Sequence, residues 1–144
     1  MRLSARCREL SFAELRLLAR ALVVVIAVRA ALWVLPFRLT RSCVERLRRP
    51  AGPWQDLALR RIRQVVWAVE AASRRVPGAT CLTQSLATQI MLGRLGQRSE
   101  LHLGVARKQD GQLEAHAWVE TQGRVVNGGA IPRFERFARL QKSS

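Results

Sequence analysis

Cysteine is scarce in this chain of 144 residues. Cys7, Cys43 and Cys81 are odd in number, widely spaced and without a CxxC pair, which excludes a disulfide framework and indicates no zinc site. A reducing cytosol is the expected compartment. Lysine is nearly missing, since only Lys108 and Lys142 stand beside 23 arginines. Acidic residues number 10 against 25 basic ones, for a net charge of +15. Such an excess ordinarily points to nucleic acid or an anionic membrane surface. Here the arginines are spread along the chain with no recognised nucleic-acid motif, and with abundant Ala, Leu and Val the skew looks like a GC-rich coding bias. Nucleic acid is therefore not the expected target.

An unbroken membrane-length apolar run is also lacking. ALVVVIAV (21–28) and AALWVLPF (30–37) are interrupted by Arg29 and bounded by Arg20 and Arg38, so each falls well short of the ~18 to 20 residues that cross a bilayer. No small-residue cleavage site follows a short apolar core. The three arginines are nine residues apart, which puts successive ones on opposite helix faces. The expected role of this segment is a helix buried against the domain or a partner protein, with peripheral membrane contact as the alternative.

What is present suffices for one core. The chain is 49% hydrophobic, long enough for one domain and too short for two of ordinary size. The pattern predicts a helix over 9–34 ending before Pro36, and a second over 38–48 before Pro50, Gly52 and Pro53. A third is expected over 54–74, where Leu59, Ile62, Val66 and Val69 recur at helical spacing. After Pro77 and Gly78, Thr80 is placed to cap a fourth helix with a buried stripe of Leu82, Leu86 and Ile90, ending at Gly93 and Gly96. The period then becomes alternating. Leu101, Leu103 and Val105 share one strand face, Asp110-Gly111 turns, Leu113, Ala115, Ala117 and Val119 face the same way on the next strand, and Gln122-Gly123 leads to a third strand at Val125 and Val126. Helices followed by an antiparallel meander make an α+β fold. The expected division is a helical part, 1–75, integral to the same domain, and a core, 76–144.

Two short stretches carry chemistry, TCLTQSLA (80–87) and AHAWVE (115–120). A thiol is nucleophilic as its thiolate, and Cys81 would sit in the first turn of its helix, where unpaired N–H groups and the dipole favour an anion and can stabilise an oxyanion. Alternation sets His116 on a face with Glu114, Trp118 and Glu120. If the Cys81 helix packs across that face, thiol and imidazole meet, and the histidine can act as base and protonate the leaving amine. His102 also alternates with apolar neighbours and is read as structural.

The run CLTQSLATQIMLGRLGQRSELHLGV, followed by AHAWVE and GRVV, closely resembles the C-terminal domain of the lasso-peptide maturation B proteins. These are a branch of the transglutaminase-like, papain-related cysteine protease superfamily. The resemblance is dense from Val76 to Gly129 and looser upstream. It implies a transglutaminase-like core, with the catalytic helix packed on a small antiparallel sheet. It further implies a cytoplasmic leader peptidase that cuts a ribosomally made precursor at the leader–core junction, with Cys81 as nucleophile and His116 as base. Trp118, Leu82, Ser85 and Leu86 would support them by packing. No cofactor or metal is implied. The implied partners are the precursor's leader peptide, a separate leader-recognition protein, since the first 75 residues look like part of the protease unit, and an ATP-using cyclase.

The chain departs from the family at one position. An aspartate is common about a dozen residues after the histidine, whereas Gly128 stands there and no Asp lies between 111 and 144. Asn127 is the nearest polar residue. With a two-residue turn at Gln122-Gly123 it pairs with residue 118 and shares the His116 face, where it can orient the imidazole; a one-residue register change moves it to the other face. An acyl transferase using the same pair, and a non-catalytic basic scaffold, are the rival functions.

Overall fold

The computed structural model describes residues 10–107, 109–127 and 135–136. The order is α1 (Phe12–Val34), α2 (Phe37–Leu47), α3 (Leu59–Ser73), α4 (Cys81–Arg94), β1 (Glu100–Arg107), β2 (Leu113–Thr121), β3 (Arg124–Asn127) and β4 (Glu135–Arg136). The architecture is α+β, as expected. The strands form one antiparallel sheet in the order β3-β2-β1-β4. β4 was not foreseen, because a two-residue strand is too short to show alternation.

Helix α1 begins with a reciprocal cap between Ser11 and Glu14, in which each side chain accepts from the other's backbone N–H. It runs through Arg29, joining the two apolar runs into a single 23-residue helix that is long and apolar enough to cross a membrane by length and composition. The single helix is the one expected over 9–34, and only the membrane-length test applied to each run separately is corrected. A single arginine has good helix propensity and does not end a helix. Its guanidinium lies over Gly78, where an added Cβ would stand 2.7 Å from Nη2 and where φ is +73°. Leu17, Ala21, Val25 and Val28 form the buried stripe of α1, which packs on α3 and α4.

Helix α3 starts at Leu59 rather than Trp54. The preceding residues are extended because their donors are satisfied elsewhere: Gln55 N–H by the Gly96 carbonyl at 2.8 Å, and Leu57 N–H by Gln97 Oε1 at 2.7 Å. Gln97 is buried, and its amide nitrogen also donates to the Arg98 carbonyl (3.1 Å) and Thr121 Oγ1 (2.8 Å). It ties the 55–57 segment to the start of the sheet.

Helix α4 is the centre of the molecule. Ten of its 14 residues are buried, and it touches α1, α2, α3, β1, β2 and β3. Burial on every side replaces the single expected stripe. One hydrophobic cluster joins Val25, Val44, Ile62, Val69, Leu86 and Leu101, among others, each fully buried Val, Leu or Ile contributing about 1.5–3 kcal/mol. Gly93 lets α2 come close, since a Cβ there would meet the Arg48 carbonyl and stand 2.6 Å from Arg48 Cβ.

Candidate active site

Thr80 caps α4 in extended conformation, its hydroxyl accepting from the Thr83 N–H at 3.4 Å. Cys81 is thereby the first residue of the helix. It is half-buried, and no acidic residue occupies the first turn. The unpaired N–H groups of that turn suit negative charge.

Strands β1 and β2 pair without interruption from Glu100↔Glu120 to Arg107↔Leu113, with Gly104 opposite His116. Leu101, Leu103, Ala117 and Val119 share one face. That face meets α4, since Leu101 and Ala117 belong to the cluster that holds Leu86, Ala87 and Ile90. His116, Trp118 and Glu120 occupy the other face, together with His102. The helix therefore covers the face opposite to the one on which the thiol and imidazole were expected to meet.

One hydrogen bond fixes a point of α4 against the sheet. Asn127 pairs with Val119 and its amide nitrogen donates to Thr88 Oγ1 at 2.8 Å, which sets Thr88 level with residue 119. Cys81 lies seven residues toward the helix start, about 10 Å at 1.5 Å per residue. His116 lies three residues along β2, about 10 Å at 3.3 Å per residue. His116 itself borders the open end of β2, where Leu113, Glu114 and Ala115 are exposed.

Asn127 is not where the regular hairpin would put it. Gln122 (φ 51°) and Gly123 (φ 71°) form the two-residue turn, as both positive angles require of its primed type. Thr121↔Arg124 and Glu120↔Val125 follow, but a register shift before the next pair sets Asn127 opposite Val119 rather than Trp118. Val126 is the extra residue of this bulge. Asn127 is buried at the α4 face, away from the imidazole, so its expected place beside His116 is corrected. The tertiary hydrogen bond to Thr88, invisible to strand alternation, holds this register. Gly128 lies outside the described residues.

Trp118 does more than pack. It is 1% exposed and stacks with His116 (6.3 Å, 23°) and with His102 (5.6 Å, 18°). Its indole N–H donates to Glu120 Oε1 at 3.1 Å. His102 Nε2 is buried between Glu120 (3.4 Å) and Glu100 (3.6 Å). His102, read from the sequence as structural, stands within a row of rings that ends at His116. The i, i+2 placement of His116, Trp118 and Glu120 with His102 on a neighbouring strand was the available signal.

A family model described as the transglutaminase-like superfamily matches residues 22–142. No curated protein and no solved structure matches the chain.

Proposed function

The chain belongs to the transglutaminase-like superfamily, which includes cysteine peptidases and acyl transferases, and from that premise we propose that it is the leader peptidase of lasso-peptide maturation. The observation that carries the reading is the Thr80-capped start of α4, which makes Cys81 the first residue of a helix in a chain of this superfamily. The reading requires thiol and imidazole to approach each other at the exposed end of β2.

In the proposed reaction His116 takes the thiol proton and the Cys81 sulfur attacks the carbonyl of the leader–core bond. The N–H groups at the start of α4 stabilise the oxyanion. Collapse of the tetrahedral intermediate breaks the C–N bond, with His116 protonating the leaving amine of the core. Water, deprotonated by His116, then hydrolyses the thioester and restores the thiol while the leader leaves as a carboxylic acid. The stacked Trp118 holds the imidazole plane. A separate recognition protein presents the leader, and a separate ATP-using cyclase consumes the freed amine.

Mass spectrometry of precursor incubated with this protein and its partners tests the proposal. Leader and core fragments are expected with the native chain and absent with Cys81→Ala and with His116→Ala. Hydroxylamine in the reaction separates the acyl transferase, which forwards the acyl group to an added amine, from the peptidase. Maturation retained in Cys81→Ala would leave the scaffold reading.

A further inference from the structure

Helix α1 has a second face that the domain does not use. Only 17% of its most apolar window is buried. At 100° per residue, Val23, Ile26, Ala27, Ala30, Trp33 and Val34 fall within a sector of about 120°, and all six are exposed. Val23, Ile26, Trp33 and Val34 are 67%, 50%, 82% and 77% exposed. This sector lies opposite the stripe of Leu17, Ala21, Val25 and Val28 that packs on α3 and α4. It carries no charge from Val23 to Val34, a length of about 16 Å, because Arg29 is turned inward over Gly78.

The ends of the face are different in kind. Arg16 and Arg20 continue the same sector toward the helix start, and both are exposed. Trp33 stands at the far end. An apolar face flanked along the helix by exposed arginines and by an indole carries the three kinds of group that suit acyl chains, lipid phosphates and the interfacial belt of a bilayer surface.

We propose that α1 docks this domain flat on an anionic lipid surface, with the Val23–Val34 sector among the acyl chains and Arg16 and Arg20 reaching back to lipid phosphates. The helix lies in the interface plane and does not cross, because its opposite stripe is held in the domain core. A protein partner would need an apolar groove with carboxylates set at the register of two arginines. A phosphate-bearing bilayer meets them in any register, and the net charge of +15 draws the whole chain to it. The inference does not depend on the peptidase chemistry.

Co-sedimentation of the full chain with large vesicles of phosphatidylcholine mixed with phosphatidylglycerol tests it, with phosphatidylcholine alone as comparison. The native chain is expected to partition onto the anionic vesicles, less so as salt rises. Val23→Glu with Ile26→Glu should lower partitioning at least about tenfold, since two charges would have to enter the apolar layer. Arg16→Glu with Arg20→Glu should abolish the preference for anionic lipid. Circular dichroism shows whether each variant folds, and Val23→Ser with Ile26→Ser provides a milder substitution, expected to weaken binding in the same direction. Failure of the native chain to bind anionic vesicles, or equal binding by the folded face variants, overturns the proposal. So does loss of self-association or of recognition-protein binding in the face variants without any vesicle binding by the native chain, which would make the face a protein interface.

Discussion

Replacing Gly93 by alanine is the sharpest test of how α4 is held. The new methyl would stand 2.6 Å from Arg48 Cβ and press on the Arg48 carbonyl, which is backbone and cannot swing aside. Ordinary contact needs about 3.5–4.0 Å between carbons, so the end of α2 must retreat by about 1 Å. That end is anchored, since Arg48 Nη1 donates to the Ser99 carbonyl at 2.9 Å and Nε pairs with Glu45 at 3.0 Å. Overpacking of this kind costs about 1–3 kcal/mol, and losing the bond to Ser99 adds about 1 kcal/mol. Alanine's better helix propensity returns up to about 1 kcal/mol. The net expectation is a loss of about 1–3 kcal/mol, which for 144 residues lowers Tm by about 3 to 10 °C. Thermal unfolding followed by circular dichroism measures it, with Gly52→Ala, which meets nothing within 4 Å, as the neutral control. A Gly93→Ala variant as stable as the native chain would refute the close approach and leave Gly93 a mere helix-end marker.

Gln97→Ala leaves the Leu57 N–H without its acceptor and removes two donated bonds, so urea unfolding should show a loss of about 2–4 kcal/mol. Asn127→Ala removes the tie to Thr88 and should cost about 1–2 kcal/mol while leaving turnover per folded molecule close to native; a collapse of kcat with stability intact would return Asn127 to the His116 side. Cys43 is exposed and Cys81 only half-buried, so exposure alone predicts faster alkylation of Cys43. The helix-start reading predicts that iodoacetamide labels Cys81 first, and peptide mass spectrometry reads the order.

Periodicity was enough where one helix face or one strand face met the core. It marked β1 and β2, while the breakers and the capping Thr80 bounded α2 and α4, and the turn residues Asp110-Gly111 and Gln122-Gly123 marked the hairpins. It misled where a long-range partner decided the local structure. Residues 54–58 have a helical pattern but follow the acceptors of Gly96 and Gln97. The bulge at Val126 depends on a hydrogen bond between residues 39 positions apart, and no local pattern encodes it. Gly93 was legible as a glycine near a helix end, but its reason, the backbone of α2, was not. For the site, the types and spacing of Cys81 and His116 were visible, while the face that α4 covers could be settled only by the packing of Leu101 and Ala117.

The burial of α4 on all sides has a bearing on how the protein fails. A helix that touches six other elements has no partial opening available to it, because freeing its amides exposes the interior of the helices and of the sheet together. Its mid-helix amides should therefore exchange with solvent only through global unfolding, as the slowest-exchanging set in the chain. The segment that begins with Cys81 and the fold then form one cooperative unit, and heat or denaturant removes the site at the same midpoint at which it removes the core.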